Sequence, residues 1–243
     1  MNPATDILFI SDLHLALEKT EITHRFLNLL QGRAKQAQAL YILGDLFDAW
    51  IGDDDNTPPN KSIKQACKQL SDSGIAIFLL QGNRDFLLGQ RFCEEAGIQL
   101  LDEYAVIDLN GQPTLLTHGD LLCSDDLAYQ AFRVKSHSLE WQQNVLSKPL
   151  WLRLLAARWY RLRSYFHKRG KTQDIMDVNQ HTVEQVLRDH HCLTLIHGHT
   201  HRPNQHQFEL DGQPARRLVL ADWKKDAAQL LCWNGVGFEI EPI

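Results

Sequence analysis

The stretch Leu40-Tyr41-Ile42-Leu43-Gly44-Asp45-Leu46-Phe47-Asp48 carries four consecutive apolar residues into a glycine and an aspartate. An apolar run of this length predicts a buried parallel strand, and glycine lets the backbone turn sharply where the strand ends. The strand would then deliver the carboxylate of Asp45 to the edge of a sheet. A simple turn after the strand is the alternative interpretation of the same residues.

Four other predicted strands also end in residues that commonly bind metal ions. These strands span about residues 7–10, 75–80, 114–117 and 193–196. The residues that follow them are Asp12 and His14, then Asn83, then His118, and finally His199 and His201. Ligands of open α/β sheets collect at the carboxyl ends of strands, so we expect the five strand ends to share one rim.

Strand and helix patterns alternate early in the chain, whereas strand follows strand near its end. Apolar residues at helical spacing predict helices over about 21–36 and 62–73, and residues 52–59 are predicted to form a solvated loop. This order predicts an α/β fold with two packed sheets, parallel in part, and helices outside. A length of 243 residues fits one large domain or a domain with an insertion.

The seven strand-end side chains comprise two carboxylates, one amide and four imidazoles. Nitrogen and oxygen donors without thiolate suit Mn²⁺, Zn²⁺, iron or nickel better than Ca²⁺. Seven groups are too many for one tetrahedral ion, so they predict two ions that share a carboxylate. Such a pair clamps the attacking and leaving oxygens of a displacement at phosphorus, and a hydroxide between the ions is a nucleophile at neutral pH. No Gly-x-Ser-x-Gly sequence is present, and this chemistry does not need one.

The composition indicates which partners the protein binds and in which cellular compartment it lies. The formal net charge of −5 gives no indication of nucleic-acid binding. The five cysteines are scattered and lack a Cys-x-x-Cys pair, which argues for a reducing compartment. No apolar run approaches the roughly 18 residues that span a bilayer. We therefore expect a cytoplasmic monomer with no nucleic-acid partner, which could still lie on a membrane surface.

The order of the motifs resembles that of the calcineurin-like metallophosphoesterases. The motifs are Asp-x-His, Gly-Asp-x-x-Asp, Gly-Asn-x-Asp, His-Gly-Asp and Gly-His-x-His, and they extend from Asp12 to His201. The resemblance implies a four-layer α/β/β/α sandwich of two mixed sheets. It also implies a core formed by residues 1–120 and 179–243, with a helical cap inserted at 121–178.

The same resemblance implies a dinuclear centre. One ion would be held by Asp12, His14, Asp45 and His201, and the other by Asp45, Asn83, His118 and His199. The catalytic residues would be Asn83, Arg84, Asp45 and His118.

Arg84 departs from the commonest form of the family, in which a histidine follows the asparagine. A guanidinium does not act as an acid, but its planar fork neutralises charge on phosphate oxygens, which suits a diphosphate with a good leaving group. The stretches 44–55, 82–89 and 175–180 resemble one branch of the family. That resemblance implies a UDP-linked, diacylated glucosamine as substrate and two Mn²⁺ as cofactor. It further implies attack by a metal-bound hydroxide on the phosphorus nearer uridine, which releases UMP.

Residues 151–171 contain seven basic residues and no acidic residue. Their apolar residues fall within about 140° of a helical wheel, namely Trp151, Leu154, Leu155, Trp159, Leu162, Tyr165 and Phe166. Such a helix could pack on the core with its arginines in solvent, bind nucleic acid, or shelter acyl chains and rest on an anionic leaflet. We favour the third interpretation, which predicts peripheral association with the cytoplasmic face of the inner membrane.

The family resemblance also implies substrate contacts from the strand ends and the cap. These residues are Asn83, Arg84, Asp126, Ser164, Lys168, Lys171 and His199. Lys168 stands where close relatives often carry asparagine. Asp126 could instead cap a helix, and Ser164 and Lys171 could be ordinary surface residues.

Two other functions remain open at this point. A phosphodiesterase or diphosphatase for soluble nucleotides would use the same metal centre but would not need the apolar face of residues 151–166. A scaffold that only binds partners tends to lose metal ligands, whereas every ligand position here is filled.

Overall fold

The computed structural model describes residues 6–168 and 177–243, and for 160–168 it describes only the course of the helix. The strands are β1 (Ile7–Ile10), β2 (Ala39–Leu43), β3 (Ala76–Leu80), β4 (Gln99–Leu100), β5 (Ala105–Asp108), β6 (Pro113–Leu116), β7 (Thr194–His197), β8 (Asn204–Leu210), β9 (Gln213–Val219), β10 (Gln229–Trp233) and β11 (Phe238–Pro242). The α-helices are α1 (Thr20–Gln31), α2 (Asn60–Asp72), α3 (Gln90–Ala96), α4 (Leu127–Ser136), α5 (Leu139–Leu146), α6 (Leu150–Lys168) and α7 (Gln180–Asp189).

The strands form two mixed sheets. The first has the order β11-β10-β1-β2-β3-β4, with β1 to β4 parallel and the other two antiparallel. The second has the order β5-β6-β7-β9-β8, with a parallel centre and antiparallel edges. The predicted α/β architecture with two mixed sheets is therefore confirmed.

The alternation of side chains along the strands builds the layers. In β1, Leu8 and Ile10 pack against α1 to α3, whereas Phe9 points into the space between the sheets. Helix α7 packs through Val183 and Leu187 on the outer face of the second sheet. The order is helices, sheet, sheet and helix, which is the predicted four-layer sandwich.

The register of the parallel strands brings their carboxyl ends together. Ile10 pairs with Ile42 across β1 and β2, and Leu43 pairs with Leu80 across β2 and β3. All five residues of β2 are buried, so this strand lies inside the fold on both faces. The loops that follow the three strands therefore leave the first sheet side by side.

Helices α4 to α6, which we call the cap helices, lie within residues 121–178, where the family resemblance predicts an inserted cap. An ionic network attaches α4 to the second sheet. The buried Asp120 carboxylate accepts hydrogen bonds from Tyr129 Oη at 2.6 Å and Arg133 Nε at 2.7 Å. Arg133 also donates to Glu103 at 2.7 Å. None of the described helices is long and apolar enough to cross a membrane.

A second polar contact attaches α6. Arg153 is only 6 % exposed and donates to Asp54 through both terminal nitrogens and to the carbonyl of Ile51. The prediction that residues 52–59 form a solvated loop is thus wrong in part. Asp53 accepts the N–H groups of Gly89 and Phe92 at the start of α3, both at 3.0 Å. The carboxylate of Asp53 thus accepts hydrogen bonds from free N–H groups at a helix end, and that of Asp54 pairs with a buried arginine, where a solvated loop would expose both to water.

We expect Arg133→Met to lower the free energy of unfolding by about 3 kcal/mol, because it leaves the buried Asp120 carboxylate without its cationic partner. Urea denaturation followed by circular dichroism measures this change. Arg188→Met is the matched control, since Arg188 pairs with Asp211 at 2.9 Å on the open surface. Equal denaturation midpoints for the two variants would contradict a structural role for the buried pair.

Candidate dinuclear metal centre

The candidate ligands lie on tight turns whose backbone takes a left-handed conformation. Positive φ angles occur at five of the seven predicted ligands, namely Asp12 (56°), His14 (52°), Asp45 (52°), His199 (68°) and His201 (55°). A left-handed residue other than glycine is disfavoured by roughly 1–2 kcal/mol, because its Cβ crowds the following carbonyl oxygen. Such strain concentrates at functional sites, where the surrounding structure enforces it. The strain at these turns therefore lowers local stability but orients the side chains of the candidate ligands.

Two glycines are required by the close approach of the backbone to these side chains. A Cβ at Gly82 would overlap the Oδ1 and the backbone nitrogen of Asp45. A Cβ at Gly198 would overlap Asp12 Oδ2 and Ser11 Oγ. Any larger residue at either position would displace a candidate ligand.

The first group of candidate ligands contains Asp12, His14 and His201. His201 Nε2 lies 3.2 Å from Asp12 Oδ1 and 3.4 Å from His14 Nε2, so three donor atoms converge. Asp12 Oδ2 is held elsewhere, by Ser11 Oγ at 2.6 Å and by the N–H of His199 at 2.9 Å. The remaining oxygen, Oδ1, therefore faces the two imidazoles.

The second group contains Asn83, His118 and His199. Asn83 Oδ1 lies 3.1 Å from His118 Nε2 and 2.9 Å from His199 Nδ1. The Nδ1 of His118 lies 2.8 Å from the carbonyl oxygen of Leu43, to which it donates its proton. The Nε2 lone pair of this buried ring is consequently directed toward the group.

Asp45 lies between the two groups. Its Oδ2 is 3.7 Å from His14 Nδ1 and its Oδ1 is 3.7 Å from His118 Nε2. The same Oδ1 accepts the backbone N–H of Arg84 at 2.7 Å, which fixes the carboxylate in place. One buried carboxylate thus faces both groups, as a bridging ligand would.

The electrostatics of these groups fit bound cations. Burial raises the pKa of Asp45 to about 7, so the ionised carboxylate is destabilised unless a positive charge lies beside it. Burial lowers the pKa of His14 to about 3, which keeps that ring neutral with a lone pair to donate. Burial alone would lower the pKa of His118, but Asp45 and Asp12 raise it to about 9. A divalent ion would stabilise the buried carboxylates in place of a protonated His118.

Two buried atoms of the centre make no hydrogen bond within the described part of the chain, namely Asp12 Oδ1 and His14 Nδ1. Buried polar atoms in proteins nearly always have a partner. A carboxylate oxygen and an imidazole nitrogen are also the donors that borderline divalent metal ions prefer. The residues of both groups, with Asp45 between them, therefore fit a pair of divalent metal ions.

Asp85 holds the turns of this centre together, although sequence reasoning assigned it no role. Its Oδ1 accepts the N–H of Gly82 at 2.7 Å and of Asp45 at 3.3 Å, and its Oδ2 accepts the N–H of Phe47 at 3.3 Å. The Gly-Asn-x-Asp motif contained this residue. Motif spacing alone does not tell which backbone groups a carboxylate reaches, so the contact is visible only in the fold.

The other predicted substrate contacts are not members of the two groups, although Arg84 borders the centre through Asp45. The Arg84 backbone is fixed between Asp45 and Trp50, whose N–H donates to the Arg84 carbonyl at 3.0 Å. Asp126 caps α4 by accepting the N–H of Tyr129 at 3.1 Å. The structure places Ser164 and Lys168 on α6 without describing their side chains, and Lys171 lies outside the described residues.

An apolar pocket of about 430 Å³ opens beside Asn83 and Arg84, between the core and the cap helices. Its apolar lining includes Trp50, Ile51, Phe86, Leu87, Phe132, Trp141, Val145, Leu152, Ala156, Ala157 and Trp159. This volume lies in the range of small-ligand sites, roughly 300–1,000 Å³. The candidate metal centre therefore adjoins an apolar chamber.

Comparison with known proteins agrees with this geometry. Residues 5–203 match the model of the calcineurin-like phosphoesterase family. A protein from Pseudomonas entomophila named UDP-2,3-diacylglucosamine hydrolase is 49 % identical over 97 % of this chain and 98 % of its own length. Proteins of the same name from Pseudomonas aeruginosa (50 % identical, over 90 % of this chain and 91 % of the relative) and Klebsiella pneumoniae (48 % identical, over 92 % and 93 %) also match. The resemblance inferred from the motifs is thus confirmed, and the chain belongs to the calcineurin-like phosphoesterase family together with these hydrolases.

Proposed function

We propose that this protein hydrolyses the diphosphate of UDP-2,3-diacylglucosamine, giving UMP and 2,3-diacylglucosamine 1-phosphate in lipid A biosynthesis. One observation carries the proposal. The residues that border the candidate metal centre, Asn83 and Arg84, also line the apolar chamber. A substrate that joins a diphosphate to acyl chains needs both environments side by side. The names of the relatives support the same substrate.

Two Mn²⁺ ions fit the proposed centre, because all its donors are nitrogen or oxygen atoms. Asp12, His14 and His201 would hold one ion, Asn83, His118 and His199 the other, and Asp45 both. Bound there, the ions supply an activated water and positive charge beside the diphosphate.

Arg84 and Asn83 act on the phosphate groups. The Arg84 guanidinium binds non-bridging oxygens through its planar fork and offsets the charge that develops as the bond to the leaving group breaks. Asn83 and His199, which lie 2.9 Å apart, complete the phosphate site. Water attacks the phosphorus nearer uridine, and the acylated sugar phosphate leaves with the bridging oxygen.

The apolar chamber binds an acyl chain of the substrate. Its core wall is formed by residues such as Phe86 and Leu87, and its other wall by α6 through Leu152, Ala156 and Trp159. A soluble nucleotide has no acyl chain to bury in such a chamber. The chamber therefore favours the lipid substrate over the soluble one.

Helix α6 also supports a membrane position. Its side away from the core exposes Trp151 (62 %), Leu155 (56 %) and Leu154 (39 %), whereas Arg153 is buried. A helix that only packs its apolar face on the core, with its arginines in solvent, would instead bury these residues and expose Arg153. Apolar residues beside exposed Arg158 have the chemistry of a helix lying on an anionic leaflet. We place the protein on the cytoplasmic face of the inner membrane.

Incubation with UDP-2,3-diacylglucosamine and Mn²⁺ in ¹⁸O-labelled water should give UMP that carries one labelled oxygen, because water attacks the phosphorus nearer uridine. Mass spectrometry of both products measures the label. Label in the sugar phosphate would overturn the choice of phosphorus, and equal turnover of UDP-glucose would overturn the lipid substrate.

Asp45→Ala is the control for the metal centre in that experiment. It should abolish turnover and the binding of both ions, as chelation should in the parent protein, because Asp45 is the shared carboxylate. Full turnover by this variant would contradict a dinuclear mechanism.

We expect Ala157→Phe to raise KM for UDP-2,3-diacylglucosamine at least about tenfold, because the added ring fills part of the chamber. Hydrolysis of bis(p-nitrophenyl) phosphate with Mn²⁺ should stay near the parent rate, since that substrate does not need the chamber. Ala131→Phe, at an exposed position of α4, is the matched control. If Ala157→Phe leaves the KM of the lipid substrate unchanged, the acyl chain lies elsewhere.

The double variant Trp151→Glu/Leu155→Glu should weaken binding to vesicles of anionic phospholipid at least about tenfold, because it removes the exposed apolar face of α6. Co-sedimentation measures the bound fraction. The control is Val134→Glu/Leu139→Glu, which alters two apolar residues that are 76 % exposed on α4 and α5. Equal loss of binding in both variants would contradict α6 as the docking face.

A further inference from the structure

The segment that follows β9, residues 220–223, forms a sixth strand end at the candidate metal centre. The N–H of Trp223 donates to the carbonyl oxygen of Asp12 at 3.2 Å. Trp223 is 3 % exposed, and its ring packs edge-on against Phe26 with centroids 6.3 Å apart. This packing fixes the segment beside the first group of candidate ligands.

The ring of His201 lies between two carboxylates. Its Nε2 is 3.2 Å from Asp12 Oδ1 and its Nδ1 is 3.6 Å from Asp222 Oδ2. The Nε2 also lies 3.4 Å from His14 Nε2. One edge of the ring therefore faces Asp12 and His14, the other two members of the first group, and the opposite edge faces Asp222.

The proton of His201 has to be on the Asp222 side when the other nitrogen binds an ion. A neutral imidazole carries one proton, and a nitrogen that binds metal uses its lone pair. The remaining N–H of a metal-binding histidine nearly always donates to a carboxylate, a carbonyl or water. His118 shows this pattern, since its Nδ1 donates to the carbonyl of Leu43.

His201 needs such a partner more than the other rings of the centre. Its side chain is 37 % exposed, against 13 % for His14 and 2 % for His118, so packing holds it less firmly. The second oxygen of Asp222, Oδ1, lies 3.5 Å from Lys224 Nζ. Asp222 thus presents one oxygen to a surface lysine and the other to His201.

We propose that Asp222 is a positioning residue of the metal centre: its carboxylate, 3.6 Å from His201 Nδ1 in this structure, would accept the Nδ1–H when Nε2 binds the first ion. This contact fixes the tautomer and the ring orientation in which Nε2 binds the first ion. The inference rests on the proposed metal centre and adds a residue that the five motifs do not contain.

The test is a Mn²⁺ titration of the chelator-treated protein, with free Mn²⁺ followed by electron paramagnetic resonance. Asp222→Ala should bind one of its two ions 10- to 100-fold more weakly than the parent. The Mn²⁺ concentration that gives half-maximal turnover should rise by the same factor. Asp222→Asn keeps an acceptor oxygen and should recover most of the lost affinity.

Lys224→Met is the matched control, because it changes the other neighbour of Asp222 and should leave both affinities unchanged. Thermal unfolding in chelator should be the same for Asp222→Ala and the parent, and Mn²⁺ should stabilise the variant less. Parent affinity in Asp222→Ala, or an equal loss of stability with and without Mn²⁺, would overturn the positioning role. A parent protein that binds no Mn²⁺ would instead overturn the metal centre itself.

Discussion

The burial of the Asp45 carboxylate between two groups of imidazoles is the constraint on which the rest of the site depends. A carboxylate at this depth is stable only beside positive charge, and burial accordingly raises its pKa to about 7. The backbone around it is arranged for that purpose. Glycine at position 82 leaves room for it, and Asp85 accepts the N–H groups of Asp45 and Phe47 in its turn. The left-handed turns at the neighbouring strand ends aim their side chains toward the same point.

The adjacency of Asn83 and Arg84 joins two environments that rarely meet. On one side of these residues lie the imidazoles and buried carboxylates of the candidate metal centre, and on the other lies a chamber walled by aromatic and aliphatic side chains. The helix that forms one wall is apolar on both of its sides. Hydrophobic burial alone cannot fix such a helix in one orientation, so polar contacts fix it. The pair between Arg153 and Asp54 orients α6, and the pair between Arg133 and Asp120 orients α4.

Sequence reasoning missed several residues for one physical reason: their roles depend on contacts with distant parts of the chain. Asp85 and Asp222 act on groups far from them in the chain, and their contacts depend on which strand ends become neighbours. Arg153 is one of the seven basic residues of 151–171, to which sequence reasoning assigned no partner, yet it is buried in the described part of α6. Helical periodicity gives the relative directions of side chains but not the direction in which the helix faces. For Arg153, the carboxylate of Asp54 and the carbonyl of Ile51 decided that direction.

The sequence by itself determined the α/β class and supplied the candidate ligands, because apolar runs that end in Asp, Asn or His are local patterns. It also showed that Arg84 stands where the commonest form of the family has histidine, and it predicted an apolar face for residues 151–166. Only the tertiary structure decided that these strand ends converge from two different sheets, with Asp45 between the two groups. Convergence depends on strand order and register, as in the pairing of Ile10 with Ile42. Those are properties of long-range hydrogen bonding and packing, which no local pattern encodes.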